Sequence, residues 1–152
     1  MTIEMNRTLP RPPGHHTLTP GFAVPHAAKV ISFLQQAFGA EVVERYDGPN
    51  AQVFHAELRL GDSVVMLGDV TPDHPAMPAA LSLYVDRGAA VDETYARAVA
   101  AGATSVMEPK NQFYGYRSAT VKDLGGNQWT ICAVVEQLSK EDIARRMQDM
   151  KA

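Results

Sequence analysis

The chain has a single cysteine, Cys132, and one tryptophan, Trp129, among 152 residues. One thiol excludes an internal disulfide framework and suits a reducing compartment, so the cytoplasm is the expected location. No run approaches the ~20 apolar residues that cross a bilayer, so no membrane partner is expected. The opening MTIEMNRTLPRPPGHH has no apolar stretch of the kind that marks a secretory leader. Net charge is −3 with both signs scattered, which leaves no basic footprint for nucleic acid and no acidic tail. Nucleophile-elbow, P-loop and dinucleotide glycine patterns are all missing; Gly125-Gly126-Asn127 reads as a hairpin turn.

What is present is a repeat. Thr17–Val24 reads as a strand, and Ala27–Phe38 carries Val30, Ile31, Leu34 and Phe38 on one helical face, stopped by Gly39. Strands follow at Glu41–Tyr46, Gln52–Leu60 and Ser63–Leu67, the last two joined across Gly61-Asp62. After a proline-containing linker, Val70–Ala79, the order restarts. Leu81–Val85 is a strand, Val91 to Val99 a helix ending at Gly102, and Thr104–Glu108, Tyr116–Lys122 and Gln128–Val135 are strands. Ala37-Phe38-Gly39-Ala40 matches Ala100-Ala101-Gly102-Ala103, and Phe22-Ala23-Val24 matches Leu83-Tyr84-Val85. Two copies are too few for a solenoid. The predicted fold is α+β, two βαβββ modules. The expected layout is a loose arm over 1–16, a domain over 17–136 (module 1 about 17–70, module 2 about 80–136) and a C-terminal helix over 137–152. Ser139 and Asp142 resemble a capping box for that helix.

Several stretches together, AFGAE (37–41), FHAELRLGDSVVML (54–67), ARAVAAGAT (96–104), QFYGYRSATVKDLGGNQW (112–129) and the tail SKEDIARRM, resemble the vicinal oxygen chelate superfamily, the glyoxalase/bleomycin-resistance/dioxygenase fold. More narrowly they resemble its PhnB-like branch, over about Thr17 to Met147. The resemblance implies two four-stranded sheets curled as half-barrels around a cavity, and a homodimer by pairing or swapping of modules. Catalytic members hold a divalent metal with a His or Gln on each module's first strand and a Glu on each last strand. Carried onto this chain, those places fall at Thr19, Ala80, Val65 and Thr130, none of them an imidazole or carboxylate. No metal and no other cofactor is therefore expected.

Strand alternation puts Phe54, Ala56, Leu58 and Leu60 on the helix side, and Val53, His55, Glu57 and Arg59 toward the cavity. His55 and Glu57 could form an acid–base pair or two legs of an unorthodox metal site; equally, they could be a hydrogen-bonded row, with Glu57–Arg59 an ion pair. Arg117 beside the aromatic loop Phe113-Tyr114-Gly115-Tyr116 could hold a planar anion, or could tie the hairpin to Glu57 or Glu108. Phe113 and Tyr114 would lid the pocket. Tyr84, Gln128 and Thr130 should face it, with Trp129 in the core. His15 and His16 fall in the arm, His26 at a helix start and His74 in the linker, and none is read as a ligand. Three functions follow. The first is a metal-independent pocket for a planar or aromatic small molecule with an optional anionic group. The second is an isomerase or lyase using His55 and Glu57. The third is a glyoxalase or dioxygenase with atypical metal ligands.

Overall fold

A computed structural model describes residues 8–151. The N-terminal part of the expected arm and Ala152 of the expected C-terminal helix lie outside the described residues. Module 1 comprises β1 (Gly21–Val24), α1 (Ala27–Phe38), β2 (Glu41–Asp47), β3 (Val53–Leu60) and β4 (Ser63–Asp69). Module 2 comprises β5 (Ala80–Tyr84), α2 (Gly88–Ala100), β6 (Thr104–Asn111), β7 (Tyr116–Lys122) and β8 (Gln128–Val134), and α3 (Lys140–Asp149) follows. Each module makes one four-stranded sheet, in the order β1-β4-β3-β2 and β5-β8-β7-β6. In both, the first strand runs parallel to the last and the hairpins are antiparallel. The fold is α+β with two βαβββ modules, as the repeat predicts. No helix among the described residues is long and apolar enough to cross a membrane.

The α1 stripe buries Val30, Ile31, Phe33, Leu34 and Ala37 against β1, β3 and β4, and the same core continues into module 2 through Ala98, Val121 and Trp129. Phe38 and Phe22 pack edge-on or tilted against Trp129 at ring separations of 5.2 and 6.5 Å. Trp129 is thus a core residue, as its strand phase requires. Its indole Nε1–H is accepted by Asp123 at 2.8 Å, and the same carboxylate also accepts from the Gly125 and Asn127 backbone N–H groups and the Asn127 side-chain amide. The Asp123–Asn127 turn is therefore built around a buried anion with every bond directed inward. Gly125 lies flat on module 1: a Cβ there would come within 2.8 Å of Val24 Cβ and 2.9 Å of Val30 Cγ2.

Three expectations are corrected. The first strand starts at Gly21, not Thr17, and Leu18 is exposed; the parallel ladder begins with Gly21 opposite Met66. The Val53/Phe54 phase is inverted. Asp47 pairs with Val53 but Tyr46 with His55, so Phe54 is an extra, unpaired residue. That bulge turns Val53 into the core and leaves Phe54 79% exposed. Arg59 pairs with Glu41 rather than Glu57. At the C-terminus, Ser139 and Asp142 form the capping box in both directions, at 3.0 and 3.3 Å.

Candidate functional site

On the helix-free face of sheet 1, β1 and β4 present Met66 and three residues with no side chain or only a methyl: Gly21, Ala23 and Gly68. They floor a cavity of about 590 Å³ whose walls include Phe54, His55, the 48–52 loop and linker residues Thr71, His74 and Met77. The linker is held there because Met77 N–H donates to the Ala23 carbonyl at 2.8 Å, covering the free edge of β1. Asp69 closes the inner end by accepting from Ala27 N–H (3.0 Å), the first N–H of α1, and from Val53 N–H (2.7 Å). This carboxylate explains the bulge: Val53 bonds a side chain where a regular ladder would supply a carbonyl. Gly68 is obligatory beside it, since a Cβ would sit 2.7 Å from the Phe54 carbonyl oxygen.

His55 lines the cavity, and Glu57 lies one alternation further along the strand, only 8% exposed. Their side chains meet at 3.4 Å between Nε2 and Oε1. The other carboxylate oxygen lies 3.2 Å from His15 Nε2, and His15 Nδ1 reaches Thr19 Oγ1 at 3.2 Å. His16 bonds the Asp62 carbonyl at 2.9 Å. Residues 14–19 are thereby laid across the sheet, Gly14 against Val64. Sequence reading passed over His15. The available cue was indirect: a carboxylate on an inward face needs donors, and of the two on its strand Arg59 goes to Glu41, leaving His55. The arrangement is a carboxylate flanked by two imidazoles, suited to holding or passing a proton.

The other expected site residues lie elsewhere. Tyr84, Gln128 and Thr130 share the helix-free face of sheet 2, where Thr120 and Thr130 hydroxyls meet at 3.2 Å. Phe113, Tyr114, Tyr116 and Tyr84 form a chain of rings 5.2 to 6.1 Å apart along one end of that face. The Tyr84 phenol is raised above its ordinary value, first by hydrogen bonding with Tyr116, and burial pushes the Cys132 thiol up. Within the chain, no residue of this face lines the module 1 cavity. Arg117 is on the opposite, helix-facing side. Its Nε and Nη2 donate to the two oxygens of Asp92 on α2, both at 2.7 Å, so it is committed to neither an anionic ligand nor Glu57 or Glu108.

The fold family implies a metal, and the donor set does not fit one at the implied places. Thr19 bonds His15, Val65 is a core residue with Met66 taking the cavity-facing position, and Ala80 and Thr130 offer no strong ligand. Among the described residues no three His, Cys, Asp or Glu side chains are arranged to hold a metal ion.

A family model of the Glyoxalase/Bleomycin resistance protein/Dioxygenase superfamily matches residues 14–131. An uncharacterized protein of Mycobacterium bovis is 31% identical over 141 residues, covering 86% of this chain and 91% of its own. One from Mycobacterium tuberculosis has the same identity and covers 81% of its own length. Among solved structures, TioX of Micromonospora sp. ML1 has a TM-score of 0.62 at 21% identity, covering 82% of this chain and 100% of TioX. The PhnB protein of Bacillus cereus has 0.63 at 17%, covering 78% and 99%. The fosfomycin resistance protein FosX of Mesorhizobium loti has 0.60 at 16%, covering 86% and 98%. At these identities the structural likenesses show the fold. With the family model spanning both modules, the chain belongs to the glyoxalase/bleomycin resistance protein/dioxygenase superfamily.

Proposed function

We propose that the protein is a metal-independent small-molecule binder whose module 1 cavity takes a planar or aromatic ligand. The observation that carries this is the floor of Gly21, Ala23 and Gly68, which leaves about 590 Å³ open, within the ~300–1,000 Å³ usual for ligand sites. Phe54, Met66 and Met77 supply apolar walls, and His55 and His74 supply hydrogen bonds at its rim. With Arg117 paired to Asp92, no arginine supports an anionic preference at this site.

The PhnB-like branch is favoured by the sequence blocks above and by the fold likeness to the Bacillus cereus protein. A homodimer laying sheet 2 of one protomer over sheet 1 of its partner would bring Tyr84, Phe113, Tyr114, Gln128 and Thr130 to the cavity. The open aromatic face, with Tyr84 62% exposed, supports that assembly.

The test is titration with N-phenyl-1-naphthylamine, an uncharged aromatic fluorophore. Saturable binding at one equivalent per chain is expected, abolished by Ala23→Tyr; undiminished binding in that variant overturns the cavity assignment. Elemental analysis of untagged protein checks metal independence, and one equivalent of Zn, Ni, Mn or Fe lost on His55→Ala would refute it.

A second reading rests on Glu57 lying between His15 and His55. A buried carboxylate with two imidazole partners is equipped for proton transfer in an isomerase or lyase. Turnover that His55→Ala abolishes while ligand affinity stays intact selects this reading over simple binding.

A further inference from the structure

A second cavity, of about 400 Å³, opens where the two modules meet. It shares no lining residue with the module 1 groove, and of its lining only Tyr84 enters the reading above. Phe38 and Trp129 form an aromatic wall, Leu81 and Val65 an aliphatic one, and Thr94 and Arg97 enter from α2.

Arg97 is held but not neutralised. Its Nε donates to the Ala37 carbonyl at 3.2 Å and its Nη2 to Thr94 Oγ1 at 3.2 Å. The Ala37 bond uses a carbonyl at the end of α1, and Thr94 is itself almost wholly buried, so the guanidinium is fixed from both modules. Arg45, Arg59, Arg87, Arg117, Arg145 and Arg146 each pair with a carboxylate. Arg97 pairs with none among the described residues, and its Nη1 has no acceptor there. A fixed planar cation with free donors, beside an apolar and aromatic wall, matches a carboxylate attached to an apolar body. Asp62, at the β3–β4 turn, lines the same space, so a second negative charge on the ligand is disfavoured.

We propose that the cavity at the module junction, formed by Phe38, Trp129, Thr94 and Arg97, is a binding site for a small apolar monocarboxylate whose carboxylate pairs with Arg97. Trp129 is the only tryptophan of the chain, so occupancy is read directly from its fluorescence.

The experiment titrates the full-length protein with cyclohexanecarboxylate, which does not absorb with tryptophan, and with the neutral cyclohexanecarboxamide. A saturable change is expected for the carboxylate, with affinity about two- to fivefold above the amide, because Arg97 is exposed and a pair at its guanidinium is partly screened. Arg97→Gln should remove that preference and Arg97→Lys should keep part of it. Thermal melting checks that the variants fold; if Arg97→Gln does not, the carboxylate-to-amide ratio in the unaltered protein and the Arg97→Lys titration decide. The proposal is overturned by no saturable signal up to about 10 mM, a concentration that fills even a weak site. It is equally overturned by equal affinity for acid and amide, or by an undiminished preference in folded Arg97→Gln. Ala23→Tyr, which blocks the module 1 groove, should leave this titration unchanged, so the two sites stand or fall separately.

Discussion

The two modules share one frame and differ in what stands on it. Their hydrogen-bond registers superpose: Gly21 opposite Met66 corresponds to Ser82 opposite Thr130, Ala23 opposite Gly68 to Tyr84 opposite Cys132, and Glu57 opposite Met66 to Thr120 opposite Thr130. At three of these places module 1 has no side chain or only a methyl where module 2 has a hydroxyl, a phenol and a thiol. The cavity of module 1 is thus a local subtraction from a shared architecture, made where the backbone already approaches closely at Gly68. The pair that satisfies itself in module 2, Thr120 with Thr130, gives way in module 1 to Glu57 opposite Met66, and Glu57 finds His55 on its own strand and His15 from outside the sheet. A buried charged group present on only one copy of a duplicated fold is a pointer to function that overall fold cannot give.

The hairpin turns differ as much as the floors. Module 1 turns through Gly61-Asp62 at the surface, whereas module 2 turns around the buried Asp123. Asp123→Ala should carry the largest penalty of any change considered, about 3 kcal/mol or more, because several donors lose their acceptor at about 1–3 kcal/mol each. Asp62→Ala, its surface counterpart, should stay within about 0.5 kcal/mol. Equilibrium urea unfolding of the pair measures the contrast, and equal losses would mean that the buried turn is not the special one. Next in size is Gly125→Ala. The added methyl meets Val24 and Val30 at under 3 Å, and overpacking of this kind costs about 1–3 kcal/mol. A neutral outcome in the same assay would show that the β7–β8 turn can lift from module 1 without loss.

The frame was legible in the sequence for reasons specific to its elements. The α1 stripe has an unbroken helical period, Gly39 sits in the left-handed conformation that ends a helix, at φ 68°, and the glycine-bearing hairpins recur at matching offsets. Placing Trp129 in the core and Gln128 and Thr130 on the other face followed from simple alternation. The site was less legible because its determinants are not local. One unpaired residue at Phe54 inverts the phase of Val53 and Phe54 while His55 to Leu60 keep theirs, and what induces the bulge is Asp69, 15 residues further on. Arg117 finds Asp92 across 25 positions, on a helix that sequence reading had placed correctly without indicating which of its acids faced the sheet. His15 looked like part of a loose arm because nothing in a proline-rich stretch announces that it will lie on Glu57.

Arg117 also offers the mildest way to sharpen the comparison, since the register puts it where module 1 has Phe54. One module lets that residue bulge toward a ligand cavity; the other anchors it to a helix. The anchor should depend on pH in a defined direction. Hydrogen bonding from Arg117, assisted by its charge and opposed by burial, holds the Asp92 carboxyl below its ordinary value. A depressed folded-state value means the contribution is complete above the unfolded value of about 3.9 and is lost as pH falls through the folded one. The pair is partly exposed, so its worth is under about 1 kcal/mol and falls with salt. Asp92→Asn should therefore be slightly less stable than the unaltered protein at pH 7, with the gap closing once acid protonates Asp92 in both folded and unfolded chains. Urea unfolding at the two pH values measures it. The absence of a gap at pH 7 would mean Asp92 holds Arg117 by shape, which asparagine keeps, rather than by charge, and the anchoring of β7 to α2 would then be packing of the same kind that seats Trp129.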